Sequence, residues 1–377
     1  MNPTNGSPPS APLPSAVGPT PFGKYLLLDL VGRGSVAEVY RARPRHSQQV
    51  LAIKCLRPQL VRDARFVDAF VREAKVAVML DCDAIVRTLE LGRIDGRYFV
   101  AMEYLSGKTL AQLLRRCQET NQRIPVSHAV YLAMKIAQGL EYAHSRCDGE
   151  LGLGIVNGDV SPSNLRISYQ GDVKVIDFGF GQSIAKFAPE LELLKTKYSY
   201  QSPEQIEGAP LDPRSDVFGV GALLHELLTG KKLFLDPAVR RTEVAAPSRL
   251  NRRVPEALDQ ICLRSLQRPP EARFGSAGQL VEALAQVLAN QPCSRDDLGE
   301  FVRIAFRQDC QRERAKLEAL LGHPTPESLP AIRDSSLHEI PLPPLRPSDL
   351  ELERSGTTRP PNAARRGVVR WLRRLFG

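Results

Sequence analysis

Short apolar runs alternating with polar residues dominate the first third of the chain. Residues 25–30, 36–41, 50–56, 88–93 and 98–102 are rich in β-branched and aromatic side chains, and turn formers such as Asp95-Gly96 separate some of them. The pattern predicts five strands in an antiparallel sheet. One helical segment interrupts them over 64–80, where Phe66, Phe70, Ala74, Ala77 and Met79 fall roughly on one face. After Gly107 the period turns helical, with segments at 110–117, 127–144, 215–228, 255–266 and 277–288. A small β-rich lobe is thus expected to precede a larger helical one. A further helix rich in Glu/Arg pairs is predicted over 296–321, carrying Phe301, Ile304, Ala305 and Leu317 among its charges.

The two ends read differently from the middle. Residues 1–21 hold seven prolines and almost no apolar periodicity, which predicts a disordered leader, and they lack the basic-then-apolar order of an export signal. A Pro-rich linker is expected over 323–361, followed by a short basic helix at 362–377. Apolar residues make up 42% and charged residues 25% of the 377, so the middle can bury a full core without disulfides. The seven cysteines are scattered, with no Cys-x-x-Cys pair, which argues against a zinc site and for reduced thiols in the cytoplasm. The net charge is +9, yet six arginines and no acid lie between Arg359 and Gly377, leaving +3 for the rest. A nucleic-acid groove across the folded part is therefore not expected. The most apolar stretch, 217–228, is interrupted by His225 and Glu226 and is too short to span a bilayer.

Candidate chemistry begins at Val31-Gly32-Arg33-Gly34-Ser35-Val36-Ala37-Glu38-Val39, between the first two predicted strands. Glycines there let backbone amides approach an anion, although a tight hairpin turn would use the same residues. Twenty residues after Gly34, a strand reaches Lys54, and the next helix carries Glu73. A lysine held by a helix glutamate beside a glycine loop can bind phosphates. The stronger signal is Asn157-Gly158-Asp159-Val160-Ser161-Pro162-Ser163-Asn164, with Asp177-Phe178-Gly179 beginning thirteen residues after Asn164. An acceptor hydroxyl needs a carboxylate to orient it, and Mg²⁺ beside phosphates needs oxygen ligands.

In order and spacing these residues resemble the protein kinase family, specifically the bacterial Ser/Thr kinases of eukaryotic (Hanks) type. The resemblance covers about 22–290, where Ser202-Pro203-Glu204 looks like the family's Ala-Pro-Glu element, Asp216 heads the apolar central helix, and Arg273 stands where the family pairs an arginine with that glutamate. It implies an α+β, bilobal kinase fold, with a five-stranded N-lobe over 22–105 and a helical C-lobe over 106–290, to which the pattern adds a helical extension over 291–322. It also implies Mg-ATP-dependent phosphoryl transfer to Ser/Thr hydroxyls of proteins, in signalling. The alternative is a pseudokinase, acting as a nucleotide-binding or protein-interaction scaffold. Carried over residue by residue, Lys54 would hold the α/β-phosphates, Glu73 would orient it, Asp159 would receive the acceptor proton, and Asn164 and Asp177 would bind Mg²⁺. Gly32 and Gly34 would cover the phosphates, Val39 and Ala52 would roof the base, Met102 would be the gatekeeper, and the backbone of Glu103 and Leu105 would meet the adenine edge.

Four departures from the family pattern bear on activity. Asn157 replaces a histidine that packs on the Phe of Asp-Phe-Gly, so packing against Phe178 is expected to weaken. Gly158 replaces the arginine that receives a phosphorylated activation segment, so activity should not depend on that contact. Ser161 replaces the catalytic-loop lysine while Lys197 stands at a position usually held by threonine. The two positions touch in the family, so Lys197 is expected to reach back toward Asp159 and the γ-phosphate, with Ser161 taking the hydroxyl role; a solvated lysine is the other reading. Arg166, two residues after Asn164, sits where the family places an apolar side chain under the adenine, and its head is expected to reach water past an apolar stem.

Partners expected from the sequence are ATP, protein substrates and no nucleic acid. In the C-terminal segment Val368, Trp371, Leu372 and Leu375 share one helical face, opposite Arg366, Arg370, Arg373 and Arg374. This is the pattern of a helix at an anionic membrane surface or on a partner protein, and equally of a solvated tail or one docked on the kinase itself. The expected location is the cytoplasm, with peripheral contact at the inner membrane face under the first reading. The 296–321 helix either packs on the helical lobe or pairs two chains into a homodimer.

Overall fold

The computed structural model describes residues 19–148, 151–152, 154–178, 198–233, 244–322 and 337–339. They fall into two compact units: those up to 75, 88–104 and 314–339 form the first, and 76–87 with 105–313 form the second.

The first unit is built on one sheet. Strands β1 (Thr20–Phe22), β2 (Tyr25–Arg33), β3 (Ala37–Pro44), β4 (Leu51–Leu56), β5 (Thr88–Ile94), β6 (Arg97–Glu103) and β12 (Leu337–Glu339) lie in the order β1-β2-β3-β4-β6-β5-β12. The five strands anticipated from the alternating pattern are its centre. Two three-residue edge strands extend it, and both were unforeseen. β12 lies inside the stretch expected to be linker and pairs antiparallel with β5, Leu337 opposite Ile94. One sheet face is core, where Tyr40, Ala42, Leu51, Ile53, Cys55, Phe99 and Ala101 are buried together. Helix α1 (Ala64–Val78) buries Phe66, Ala69, Phe70 and Ala74.

The second unit is organised around a helix that is apolar nearly all round, which marks a core helix. This is α5 (Pro213–Thr229), in which every residue from Ser215 to Thr229 is buried. Asp212 caps it by accepting from the Arg214 N–H, Pro213 opens it, and Gly230 ends it at φ 73°. The two polar interruptions noted within it are satisfied: His225 Nε2 lies 3.0 Å from the Ala245 carbonyl, and Glu226 accepts from the Tyr200 hydroxyl. Around it stand α2 (Leu110–Glu119), α3 (Val126–His144), α4 (Pro203–Glu207), α6 (Pro247–Leu250), α7 (Glu256–Ser265) and α8 (Ala277–Asn290). A three-stranded sheet of β7 (Gly107–Thr109), β10 (Leu165–Ser168) and β11 (Val173–Val175) runs in the order β11-β10-β7, and β8 (Cys147–Asp148) pairs with β9 (Leu151–Gly152). Residues 76–87, read from the sequence as part of the N-lobe, belong to this unit because Leu80 and Ile85 are buried in its core and the Val86 N–H donates to the Val175 carbonyl.

The single helix expected over 296–321 is two, α9 (Arg295–Ala305) and α10 (Arg307–Gly322). The break falls at Phe306, whose backbone leaves the helical region at φ −124°, ψ 34°. Its ring is buried, with the Lys108 and Arg116 cations 5.4 and 5.2 Å from its centroid. Burying that ring and stacking two cations on it outweighs one uninterrupted helical turn. Leu298 and Val302 of α9 are also in the core, so this part of the extension packs on the helical unit. Among the described residues no helix is long and apolar enough to cross a membrane. Residues 1–18 of the leader and the C-terminal basic helix lie outside the described residues, whereas Thr20 and Pro21, expected to be disordered, pair with Leu27 and Leu26 of β2.

Candidate active site

In the first unit the register of the sheet gathers the predicted residues. Val39 is opposite Lys54, which is opposite Val100; Arg41 is opposite Ala52, which is opposite Met102. Directly opposed residues share a face and successive ones alternate. Val39, Ala52, Lys54 and Met102 therefore stand on the face away from the Ile53 and Cys55 core. Lys54 Nζ lies 3.0 Å from Glu73 Oε1 on α1, with 11% and 10% of the two side chains exposed. The pairing expected of these two residues is present. The glycine-rich segment is a hairpin in which Gly32 is opposite Val39 and the Gly34 N–H donates to the Ala37 carbonyl at 2.8 Å.

In the second unit the catalytic-loop residues hang on two buried groups. Asp216, 1% exposed, accepts from the Asn157 and Gly158 N–H groups at 2.8 and 2.7 Å, and His144 Nε2 lies 2.7 Å from it. Three polar partners offset the burial of that carboxylate. Gly158 takes φ 62°, a left-handed conformation that suits glycine, and Gln205 Nε2 donates to its carbonyl at 2.7 Å. The second group is Asn157, fully buried. Its Nδ2 donates to the Asp177 carbonyl at 2.8 Å and its Oδ1 accepts from the Asp159 N–H at 2.9 Å.

Phe178 is buried with 3% exposed despite the missing histidine, and Asn157 ties the segment carrying Asp159 to the segment carrying Asp177 by hydrogen bonds instead. Asn164 closes the loop: its Nδ2 donates to the Asp159 carbonyl at 3.1 Å and its own carbonyl accepts from the Ile176 N–H at 2.9 Å. Asp159, Asn164 and Asp177 are thus brought together within one hydrogen-bonded unit. The amide nitrogen of Asn164 being committed to protein, Oδ1 is the end that can meet a cation. Ser161 is buried with its hydroxyl 2.9 Å from that of Ser163. Lys197 and Gly179 lie outside the described residues.

The head of Arg166 does not run to water. Nε donates to the Leu105 carbonyl at 2.6 Å and Nη2 to the Gly107 carbonyl at 3.0 Å, because β10 pairs directly with β7 and brings those two oxygens within reach. Behind the loop, Arg273 meets Glu204 with both terminal guanidinium nitrogens, at 2.7 and 2.8 Å, as the sequence suggested. Burial alone would raise the Glu204 carboxyl, but the bonds from Arg273 and Ser215 outweigh it and hold it down to about 2.

Sequence reasoning missed His144 and Gln205. The first gives no periodic signal, since it ends α3 and acts through Asp216 on the next segment. The second was readable: Ser202 and Gln205 form a capping box, with Ser202 accepting from the Gln205 N–H and Gln205 from the Ser202 N–H.

The protein kinase domain model matches residues 25–312. Among curated proteins the chain is 31% identical over 315 residues to the tyrosine-protein kinase MasK of Myxococcus xanthus, covering 80% of this chain and 49% of that protein. It is 32% identical over 282 residues to the serine/threonine-protein kinase PknB of Mycobacterium leprae, covering 71% of this chain and 44% of that protein. The chain spans less than half the length of both. Among solved structures, the Mycobacterium tuberculosis PknI kinase domain matches at a TM-score of 0.56 and 25% identity, over 72% of this chain and 99% of that one.

Proposed function

The chain belongs to the protein kinase family, and from that we propose that it transfers the γ-phosphoryl group of ATP to serine or threonine hydroxyls of protein substrates, as a bacterial signalling kinase. The observation that carries this reading is the Asn157 amide, which keeps Asp159 and Asp177 in one bonded unit where the usual histidine is absent.

Asp159 orients the acceptor hydroxyl and takes its proton. Lys54, steadied by Glu73, holds the α/β-phosphates, and Gly32 and Gly34 cover them. Val39 and Ala52 line the base, with Met102 behind it and the backbone of Glu103 and Leu105 at its polar edge. Asn164 and Asp177 offer an amide and a carboxylate oxygen, the donor chemistry Mg²⁺ prefers, and two protein ligands are enough for an ion that keeps waters and phosphate oxygens. Bound Mg²⁺ supplies charge neutralisation at the β- and γ-phosphates. Among the described residues no cluster of three His, Cys, Asp or Glu offers a competing metal site. Lys197 supplies the cation that Ser161 does not. The serine/threonine preference follows relatives such as PknB; MasK bears the tyrosine name, so the acceptor is tested with both.

The test is direct. Mg-ATP should raise the melting temperature, and labelled phosphate should pass to a mixed Ser/Thr peptide pool faster than to a Tyr pool. Lys197→Met should slow transfer by about tenfold or more while the melting shift persists. No shift and no transfer in the wild-type chain would sink the kinase reading and favour a scaffold.

The C-terminal basic helix is proposed as a peripheral anchor on the cytoplasmic side of an anionic membrane. Deleting residues 359–377 should abolish sedimentation with phosphatidylglycerol-rich vesicles. Equal sedimentation with and without the deletion would show the segment to be inert.

A further inference from the structure

Arg166 is the one residue of the candidate site whose chemistry runs against its place. It stands on β10, two residues after Asn164, and its guanidinium holds the carbonyls of Leu105 and Gly107 at 2.6 and 3.0 Å. The whole segment is tied down. The Ser106 carbonyl accepts from the Tyr169 N–H at 3.0 Å, and the Ser106 hydroxyl donates to Glu313 on α10 at 2.9 Å. Gly107 allows the close approach, since a Cβ there would stand 2.0 Å from the Ile167 carbonyl oxygen. Three successive carbonyls, 105 to 107, are thus each engaged, the first and third by the Arg166 cation.

We propose that Arg166 determines which purine the site takes: by holding its cation on the Leu105 carbonyl, it admits adenine and rejects bases with an amino group at C2. The inference rests on the reading that the Leu105 N–H meets the adenine edge. If N1 of the base accepts from that N–H, the neighbouring ring position, C2, comes next to the carbonyl of the same residue. Adenine presents only C–H there, which asks nothing of the oxygen. A 2-amino group brings N–H donors to an oxygen one of whose two lone pairs is already taken at 2.6 Å by a guanidinium, so the oxygen is a weaker acceptor and the N–H dipoles face a cation. An apolar residue at 166 would leave that oxygen to accept from the amino group.

The clean probe is 2-aminoadenosine triphosphate, which differs from ATP at C2 alone. Binding of both nucleotides with Mg²⁺ is measured by calorimetry on the wild-type chain and on Arg166→Leu, with the melting temperature without nucleotide as the check on folding. The wild type should prefer ATP by about tenfold, the order expected when a polar group is left unmatched. In Arg166→Leu the preference should fall to parity or reverse. An unchanged ratio overturns the proposal alone, whereas a wild type that binds neither nucleotide overturns the kinase reading and this inference with it. Should Arg166→Leu fail to fold, Arg166→Lys decides: its ammonium keeps the charge at the carbonyl, so a retained preference supports the proposal and a lost one overturns it.

Discussion

Asp159→Asn leaves the chain folded and able to bind Mg-ATP, and lowers phosphoryl transfer by roughly 10²–10⁴-fold. Two features of the loop lead to that separation. The backbone of Asp159 is fixed from both sides, its N–H on Asn157 Oδ1 at 2.9 Å and its carbonyl on Asn164 Nδ2 at 3.1 Å, so the loop does not depend on the carboxylate for its shape. An amide of the same size then removes the proton acceptor while changing little else. The measurements are turnover of labelled ATP with the peptide pool and the nucleotide-dependent melting shift, made on both proteins. Turnover should fall with the shift retained. Equal turnover in the two proteins would mean that Asp159 is not the base, or that the activity comes from a contaminant.

The strands at the centre of the first sheet were legible because each is a run rich in apolar, β-branched and aromatic residues, and turn formers separate some of them; burial itself does not alternate there, β4 being buried at all six positions. β1 and β12 are three residues each, too short for any period. β12 also follows a Pro-rich stretch, and only the exposed edge of β5 makes a strand of it. Phe306 fell inside a good helical pattern, and its removal from the helix depends on Lys108 and Arg116, almost 200 residues earlier. The site shows the same division. Order and spacing singled out Lys54, Glu73, Asp159, Asn164 and Asp177, and the Lys54–Glu73 pair is formed as expected. Spacing could not show that Asn157 would bond both ways, nor that Arg166 would find two carbonyls before it found water. Those outcomes turn on which backbone atoms come within 3 Å after folding, and residue type alone does not say.

Arg273→Ala should cost about 3–5 kcal/mol of unfolding free energy, the largest stability effect expected of any single side chain near the site. The side chain of Arg273 is fully buried, and besides Glu204 it donates to the carbonyls of Gln267, Arg268 and Arg214 at 2.8, 2.8 and 2.9 Å. Removing it strands those oxygens and leaves the Glu204 carboxylate, 12% exposed, beside Ser215 without its cation. The pH dependence distinguishes this loss from simple cavity formation. In the wild type Glu204 is held down to about 2 from an ordinary 4.5, so its contribution is fully present above 4.5 and is lost as the pH falls toward 2. That shift corresponds to about 3 kcal/mol, in line with the cost above. In Arg273→Ala burial is opposed only by the Ser215 and backbone hydrogen bonds, so the carboxyl rises from its wild-type value and protonation harms the variant less than it harms the wild type. The gap between the two proteins should therefore be widest at neutral pH and should narrow below pH 4.5 in urea titrations. A gap of constant size across that range would mean that packing, and not the ion pair, accounts for the loss.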